Sequence, residues 1–444
     1  MYGRVNMNTH RGQALYKRAK QIIPGGTQLL SKRPEMFAPE QWPPYYQQAK
    51  GCTVTDIDNN RYIDMSSMGI GSCLLGYAHP AVNEAVIKAI QAGSMSTLNC
   101  PVEVELAELL LSLHPWADMV RYARSGGEIM SIAVRIARAA TGKEIVAFCG
   151  YHGWHDWYVS ANLANGGNLD GQLLPGIEPN GVPKTLTGTV LPFHYNAIGE
   201  LEQIFDRYGS KVGVIVMEPY RYQGPKEGFL EKVRALATKH HCVLIFDEIT
   251  SGWRNTIGGI HMKLGIEPDM AVFAKAISNG FPMAAVIGKR EVMDAAQGSF
   301  ISSTYWTERI GPTAAIATIQ AFQNESIPSV LSARGTEVMR IWKTMAKASK
   351  IEIEIEGTPA LSHFSFLHQE ATVLTTLLTQ ELLKRGVLGN TAYYASAGHD
   401  EQACRSYEEA FGEVCHILRK AIDSGNPKKS LEGPVKHQGF ARLT

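Results

Sequence analysis

The 444-residue chain has almost no excess of charge of either sign, with 43 lysines and arginines against 42 aspartates and glutamates. A protein whose main partner is a nucleic acid presents a basic stripe, and none stands out here. Long apolar runs are also missing. A typical run, VGVIVM, is far shorter than the ~20 residues that cross a bilayer, so no membrane partner is expected. The opening stretch MYGRVNMNTHRGQALYKRAK lacks the apolar centre of a secretory signal. Cysteine is sparse and unpatterned. Cys52, Cys73, Cys100, Cys149, Cys242, Cys404 and Cys415 are odd in number, have no C-x-x-C spacing and lie partly in apolar runs. That reads as reduced, mostly buried thiols in a cytoplasmic protein. There is no internal repeat, no low-complexity tract, and no G-x-G-x-x-G at a strand-to-helix turn, which sets aside a dinucleotide-binding dehydrogenase.

What is present is a large supply of core. Apolar residues make up 45% and charged residues 19%, and the length exceeds what one compact core holds. Residues 12–23 predict a short helix ending at Pro24-Gly25-Gly26. TVTDIDNNRYIDM predicts a hairpin turning at Asp58-Asn59-Asn60, and HPAVNEAVIKAIQAG an amphipathic helix burying Val82, Ala85, Val86, Ala89 and Ile90. A second helix covers roughly 102–113. From about 119 apolar strands alternate with helices: MVRYA, EIVAFCG, KVGVIVMEP, CVLIFDE, DMAVFA and AAVIG read as strands. This rhythm implies right-handed crossovers and a mostly parallel sheet covered by helices. The expected organisation is a large domain at 76–330, with 1–75 contributing to a smaller α+β domain completed by 331–444.

Ligands of open α/β sheets bind beyond the carboxyl ends of the strands. Three acids stand at such ends, Glu218 in VIVMEPY and Asp247 and Glu248 in CVLIFDEITSG. A strand-end acid alone is as often a turn cap. Lys275 in DMAVFAKAISNGFP tips the balance, because it follows an apolar strand with small or apolar neighbours, where a lysine can lose its proton and attack a carbonyl. Ser125-Gly126-Gly127 begins a helix whose free N–H groups suit a phosphate. Tyr151 in CGYHGWHDW follows another strand end and suits stacking on a flat ring. His152 and His155 lack a third ligand at a recognisable spacing, so no metal is expected. A phosphate site, an aromatic platform, a carboxylate for a ring nitrogen and an imine-forming lysine together suit pyridoxal 5'-phosphate.

These motifs identify a resemblance. With IIPGGTQ, DIDNNRYIDM, GYAHPAV, SGGEIMSIAVRIARAATG, YHGWHD, MEP, FDEITSGWR, FAKAISNGFP and YYASAGHDEQ, the chain resembles class III aminotransferases of fold type I, and within them the group around glutamate-1-semialdehyde aminomutase. The resemblance implies the type I fold of pyridoxal-phosphate-dependent transferases. It implies that Lys275 is the Schiff-base lysine and proton shuttle, that Asp247 meets the pyridine nitrogen and Tyr151 the ring, and that Gly126 and Gly127, beside Ser125, form the phosphate loop. Glu218 would lie near the cofactor's hydroxyl side. It further implies a homodimer with active sites at the subunit interface, in which Thr304, with Thr307 as a rival, reaches the partner's phosphate. The family more often has Ser-Gly-Thr or Ser-Gly-Ser where this chain has Ser125-Gly126-Gly127, and TYWTERIGP is longer than the corresponding loop. Lys32, Arg33, Arg221 and Arg254 are candidate anchors for a substrate carboxylate. The expected activity is transfer of an amino group from an amino acid, glutamate in much of the family, to a carbonyl acceptor, with a carbohydrate acceptor suggested by the STYWTERIGP and EGPVKHQGFARLT segments. An aminomutase and a non-catalytic pyridoxal-phosphate-binding protein are the alternatives.

Overall fold

The computed structural model describes residues 10–172, 175–220 and 224–440. The chain divides into two compact units, Pro80–Pro328 and the pair of segments Met1–His79 and Ser329–Thr444.

In the Pro80–Pro328 unit seven strands form one sheet. They are β1 (Met119–Ala123), β2 (Ile145–Cys149), β3 (Val190–Pro192), β4 (Val212–Met217), β5 (Val243–Asp247), β6 (Met270–Phe273) and β7 (Ala284–Gly288). Their order is β1-β7-β6-β5-β4-β2-β3. β7 runs antiparallel to both neighbours, and every other pairing is parallel. Every residue of β2, β4, β5, β6 and β7 is buried. That is why these strands, apart from Asp247 at the end of β5, are apolar rather than alternating: both faces are covered. Alternate residues serve opposite faces. Phe148, Val214, Val216 and Ile245 pack with Ile129, Ala133 and Ile136 of helix α1 (Gly126–Thr141). Ala147, Ile215, Met217, Leu244 and Phe246 pack with Leu201 and Phe205 of α2 (Ile198–Tyr208) and with Phe229 and Val233 of α3 (Phe229–Lys239).

Several elements were not expected, β3 and α2 among them. β3 has only three residues and ends on Pro192. It sits at the sheet edge, the one place where proline's missing N–H is tolerated. The α2 segment also went unread. One expected face is corrected: helix Pro80–Gln91 buries Val82, Val86 and Ala89, but Ile90, like Ile87, is more than half exposed.

The other unit is α+β. Tyr46–Lys50, Thr53–Asp56 and Arg61–Asp64 form an antiparallel ribbon that Val387–Leu388 joins in parallel. The expected hairpin turns on Asn59 at φ +66°, with the buried Asp56 carboxylate accepting from the N–H groups of Asp58 and Asn60. Ile353–Thr358, Leu361–Phe366 and Ala392–Tyr394 make a second antiparallel sheet, accompanied by helices Ala371–Leu383 and Glu401–Asp423. All seven cysteines are free thiols, and all but Cys100 are buried. Among the described residues no helix is long and apolar enough to cross a membrane.

Candidate active site

Parallel pairing brings the carboxyl ends of β2, β4, β5 and β6 to one edge of the sheet. Cys149 lies beside Met217, Met217 beside Phe246, and Asp247 beside Val272. The residues that follow these ends are Tyr151, Glu218, Asp247 itself and Lys275.

Asp247 is 2% exposed. Its Oδ1 accepts from the Ile249 N–H at 3.0 Å, and its Oδ2 faces His152 Nδ1 at 2.8 Å. His152 Nε2 lies 3.0 Å from the Cys149 carbonyl oxygen. The imidazole is thus fixed between two acceptors and holds the carboxylate's orientation. Glu218 is buried as well, and its Oε2 accepts from the Tyr151 N–H at 3.2 Å. Gly150 makes this approach possible. Its φ is +109°, and a β-carbon there would stand 2.6 Å from Glu218 Oε2. The Tyr151 ring is half-buried and edges onto Tyr158 at 5.9 Å.

With one residue, Ala274, between, Lys275 follows the end of β6. Its φ is +49°, a left-handed conformation costing a non-glycine residue ~1–3 kcal/mol, which persists where the surroundings over-determine it. The turn continues through Asn279, also left-handed at φ +46°. Half-buried Lys275 Nζ donates to Thr250 Oγ1 at 3.0 Å. Thr250 lies three residues beyond Asp247, so the β5 and β6 ends meet in one hydrogen bond.

At the start of α1, Ser125 and Glu128 form a capping box. Glu128 Oε2 accepts from the N–H groups of Ser125 and Arg124 at 2.9 and 3.2 Å. Gly126 and Gly127 are the first two helical residues, whose N–H groups have no partner within the helix. A β-carbon on Gly127 would stand 2.8 Å from the His155 ring. Arg124 ties this strand end to the 304–309 segment: its Nε pairs with Glu308 Oε1 at 2.7 Å, and its Nη2 donates to the Trp306 and Glu308 carbonyls. Thr304 is exposed, whereas the Thr307 hydroxyl donates back to the Thr304 carbonyl at 3.0 Å.

Glu248, also expected at a ligand, faces the protein instead. It is fully buried and accepts from Ser251 Oγ, from the His261 N–H at 2.9 Å and from His261 Nδ1 at 2.8 Å. Burial pushes its pKa up, but the hydrogen bonds from His261 and Ser251 outweigh burial and leave it below the ordinary glutamate value.

Of the candidate substrate anchors, Arg254 is fully buried and donates from Nε to the Thr250 carbonyl at 2.6 Å. Lys32 is exposed, and Arg33 lies under Gly25 and beside the Phe440 ring, both within the other unit. Arg221 lies outside the described residues. No cluster of three or more metal-ligating side chains occurs among the described residues. The sequence reading missed Thr250, Arg124 and the true partner of His152. Thr250 alone had a local signal, its place three residues beyond Asp247.

Comparison with known proteins shows the family. The family model for aminotransferase class III matches residues 37–394. The 3-aminobutyryl-CoA aminotransferase of Cloacimonas acidaminovorans is 33% identical over 93% of this chain and 98% of its own. The glutamate-1-semialdehyde 2,1-aminomutase of Ignicoccus hospitalis is 30% identical over 92% and 99%. Among solved structures, the FumI protein of Sphingopyxis sp. MTA144, in its PLP internal aldimine form, superposes with a TM-score of 0.85 at 22% identity, covering 95% of this chain and all of that one. The chain belongs to the class III aminotransferases and is a transaminase dependent on pyridoxal 5'-phosphate.

Proposed function

We propose that the chain moves an amino group from L-glutamate to an aldehyde or ketone acceptor, with the cofactor held at the carboxyl ends of β2, β4, β5 and β6. The observation that carries this reading is the meeting of Lys275 with the turn that follows Asp247, across adjacent strand ends. Lys275 is the residue that would hold the cofactor through its aldehyde carbon, and its freed amine would carry the proton at the donor's Cα. Asp247, oriented by His152, keeps the ring nitrogen protonated. Tyr151 would cover the ring, and Glu218 would serve its hydroxyl side. Ser125, Gly126 and Gly127 hold the phosphate at the start of α1, where Glu128 is already spent on the N–H groups of Arg124 and Ser125. The bound cofactor supplies an electron sink for the carbanion formed at Cα.

The acceptor in this reading is an oxidised sugar acid such as 8-oxo-3,8-dideoxy-manno-octulosonate. The STYWTERIGP and EGPVKHQGFARLT segments resemble those of 8-amino-3,8-dideoxy-manno-octulosonate transaminase. A sugar acid needs a cationic anchor. Lys32, Arg33, Arg221 and Arg254 are the candidate anchors, and the donation of Arg254 Nε to the Thr250 carbonyl favours a place in the turn for the last. The protein works as a cytoplasmic homodimer. Support for the dimer comes from Leu98 and Phe300, 81% and 91% exposed, on segments joined by the Arg309 N–H donating to the Ser94 carbonyl. Large apolar side chains left exposed on two joined segments favour an interaction surface there. The exposed Thr304 hydroxyl belongs to the same segment and serves the partner's phosphate.

The Ignicoccus relative favours a second reading, an aminomutase that moves nitrogen within one substrate. Separate half-reactions decide. The glutamate-treated enzyme is freed of glutamate and offered the sugar-acid aldehyde, a 3-oxoacyl-CoA or glutamate-1-semialdehyde. Restoration of the original spectrum by the sugar acid, with release of its amine, is expected. Restoration only by the thioester, or turnover of the semialdehyde without glutamate, overturns the assigned acceptor.

A further inference from the structure

Lys275 has to do two things in the proposed reaction. It must give up the cofactor, and it must then present a neutral amine in a fixed direction. An amine on a four-carbon stem rotates freely about its last bond unless something holds one of its N–H groups. In this structure Thr250 Oγ1 does so at 3.0 Å. Thr250 is itself braced. Arg254 Nε donates to its carbonyl at 2.6 Å, the neighbouring Ser251 hydroxyl is bonded to Glu248, and the Gly252 N–H donates to the Glu248 carbonyl at 2.8 Å. The hydroxyl is therefore presented from a turn with little freedom, the condition under which positioning contributes to rate.

We propose that Thr250 is the positioning residue for Lys275, its hydroxyl accepting one N–H of the freed amine and so fixing where the amine's lone pair points. This rests on Lys275 being the lysine that bonds the cofactor. A hydroxyl suits the task because it carries no charge. It accepts an N–H without adding the full attraction by which a carboxylate would hold the lysine as an ammonium. It still favours the ammonium slightly, since a charged donor makes the stronger hydrogen bond.

The test compares Thr250→Val, which keeps the shape and removes the hydroxyl, with Thr250→Ser, which keeps the hydroxyl. Two quantities are followed besides cofactor content and melting temperature. One is exchange of the glutamate Cα proton with solvent deuterium by the holoenzyme. The other is the pH dependence of pyridoxal phosphate capture by the full chain after cofactor removal. Thr250→Val is expected to exchange about tenfold more slowly. Its capture profile moves to lower pH by about half a unit or more, because the ammonium has lost an acceptor. Thr250→Ser is expected to match the unsubstituted protein in both. Should Thr250→Val fail to fold, Thr250→Ala gives the same comparison. A hydroxyl-free variant that exchanges at the original rate with an unmoved profile overturns the proposal, as does Thr250→Ser failing equally. Lys275→Ala separates the two claims: if it still exchanges the proton, the reading of Lys275 falls; if it is inert while Thr250 variants are normal, only the role of Thr250 falls.

Discussion

A side chain at position 127 would collide in this chain with a ring. The β-carbon would stand 2.8 Å from His155, which stacks on Trp154 at 4.3 Å. Gly127 and His155 are therefore one choice made twice, and overpacking the site costs ~1–3 kcal/mol. Gly127→Ser is expected to lower the melting temperature by several degrees, and His155→Ala in the same chain to restore most of the loss. Equal melting temperatures for the single and double variants would show that the ring does not set the residue at 127. The sequence displays the unusual Ser-Gly-Gly but not its cause, because His155 is 28 positions away and nothing local links the two. The same limit applies to His152. Its spacing to His155 invites a metal reading, while its partner is Asp247, 95 residues on. Asp247 and Lys275 were legible because a charged residue abutting a buried apolar strand is conspicuous wherever the chain returns.

At the scale of elements, the turn after β5 is fastened from behind. Trp116 Nε1 donates to His261 Nε2 at 3.0 Å, so the His261 proton is on Nδ1, where it donates to Glu248. His114 is buried beside them. Its Nε2 accepts from the Gly259 N–H at 3.1 Å, and Nδ1 meets the Leu110 carbonyl at 2.8 Å. Burial, with His261 adding to it, depresses the His114 pKa to about 4. The sign follows from linkage. Between the ordinary histidine value near ~6.5 and about 4, the unfolded chain binds a proton that the folded protein refuses, so stability is lost as pH falls through that window, by up to ~3 kcal/mol. Replacing His114 with glutamine is expected to flatten denaturant-measured stability between pH 6.5 and 4; an unchanged slope would contradict the assignment. Five of the seven strands are apolar runs but for Asp247 at the end of β5, buried end to end, and such runs announce themselves in sequence. β3 did not, because three residues ending in proline carry no periodicity. Nor did the helix face around Ile90, where five apolar positions were visible and the helix buries only part of that face.

For the whole molecule, four of the exposed large apolar side chains, Met95, Leu98, Phe300 and Tyr305, fall within 94–98 and 300–309. If these segments meet a second copy, Leu98→Asp with Phe300→Asp is expected to shift sedimentation from dimer to monomer at micromolar concentration. Cofactor retention should fall with it, since Thr304 then serves no partner. A doubly substituted protein that stays dimeric would place the interface elsewhere. The type I fold was legible from the strand-helix rhythm and the resemblance together. The acceptor was not, because residues that recognise a substrate commonly lie on loops, which carry no periodic pattern.

The central claim is that Lys275 bonds the cofactor and that glutamate displaces it. The most direct measurement is the visible spectrum of the purified protein and of Lys275→Ala, before and after glutamate. The account predicts a visible band in the unsubstituted protein that glutamate bleaches, and no such band in Lys275→Ala. A band that survives the loss of Lys275, or one that no amino donor disturbs, would contradict it.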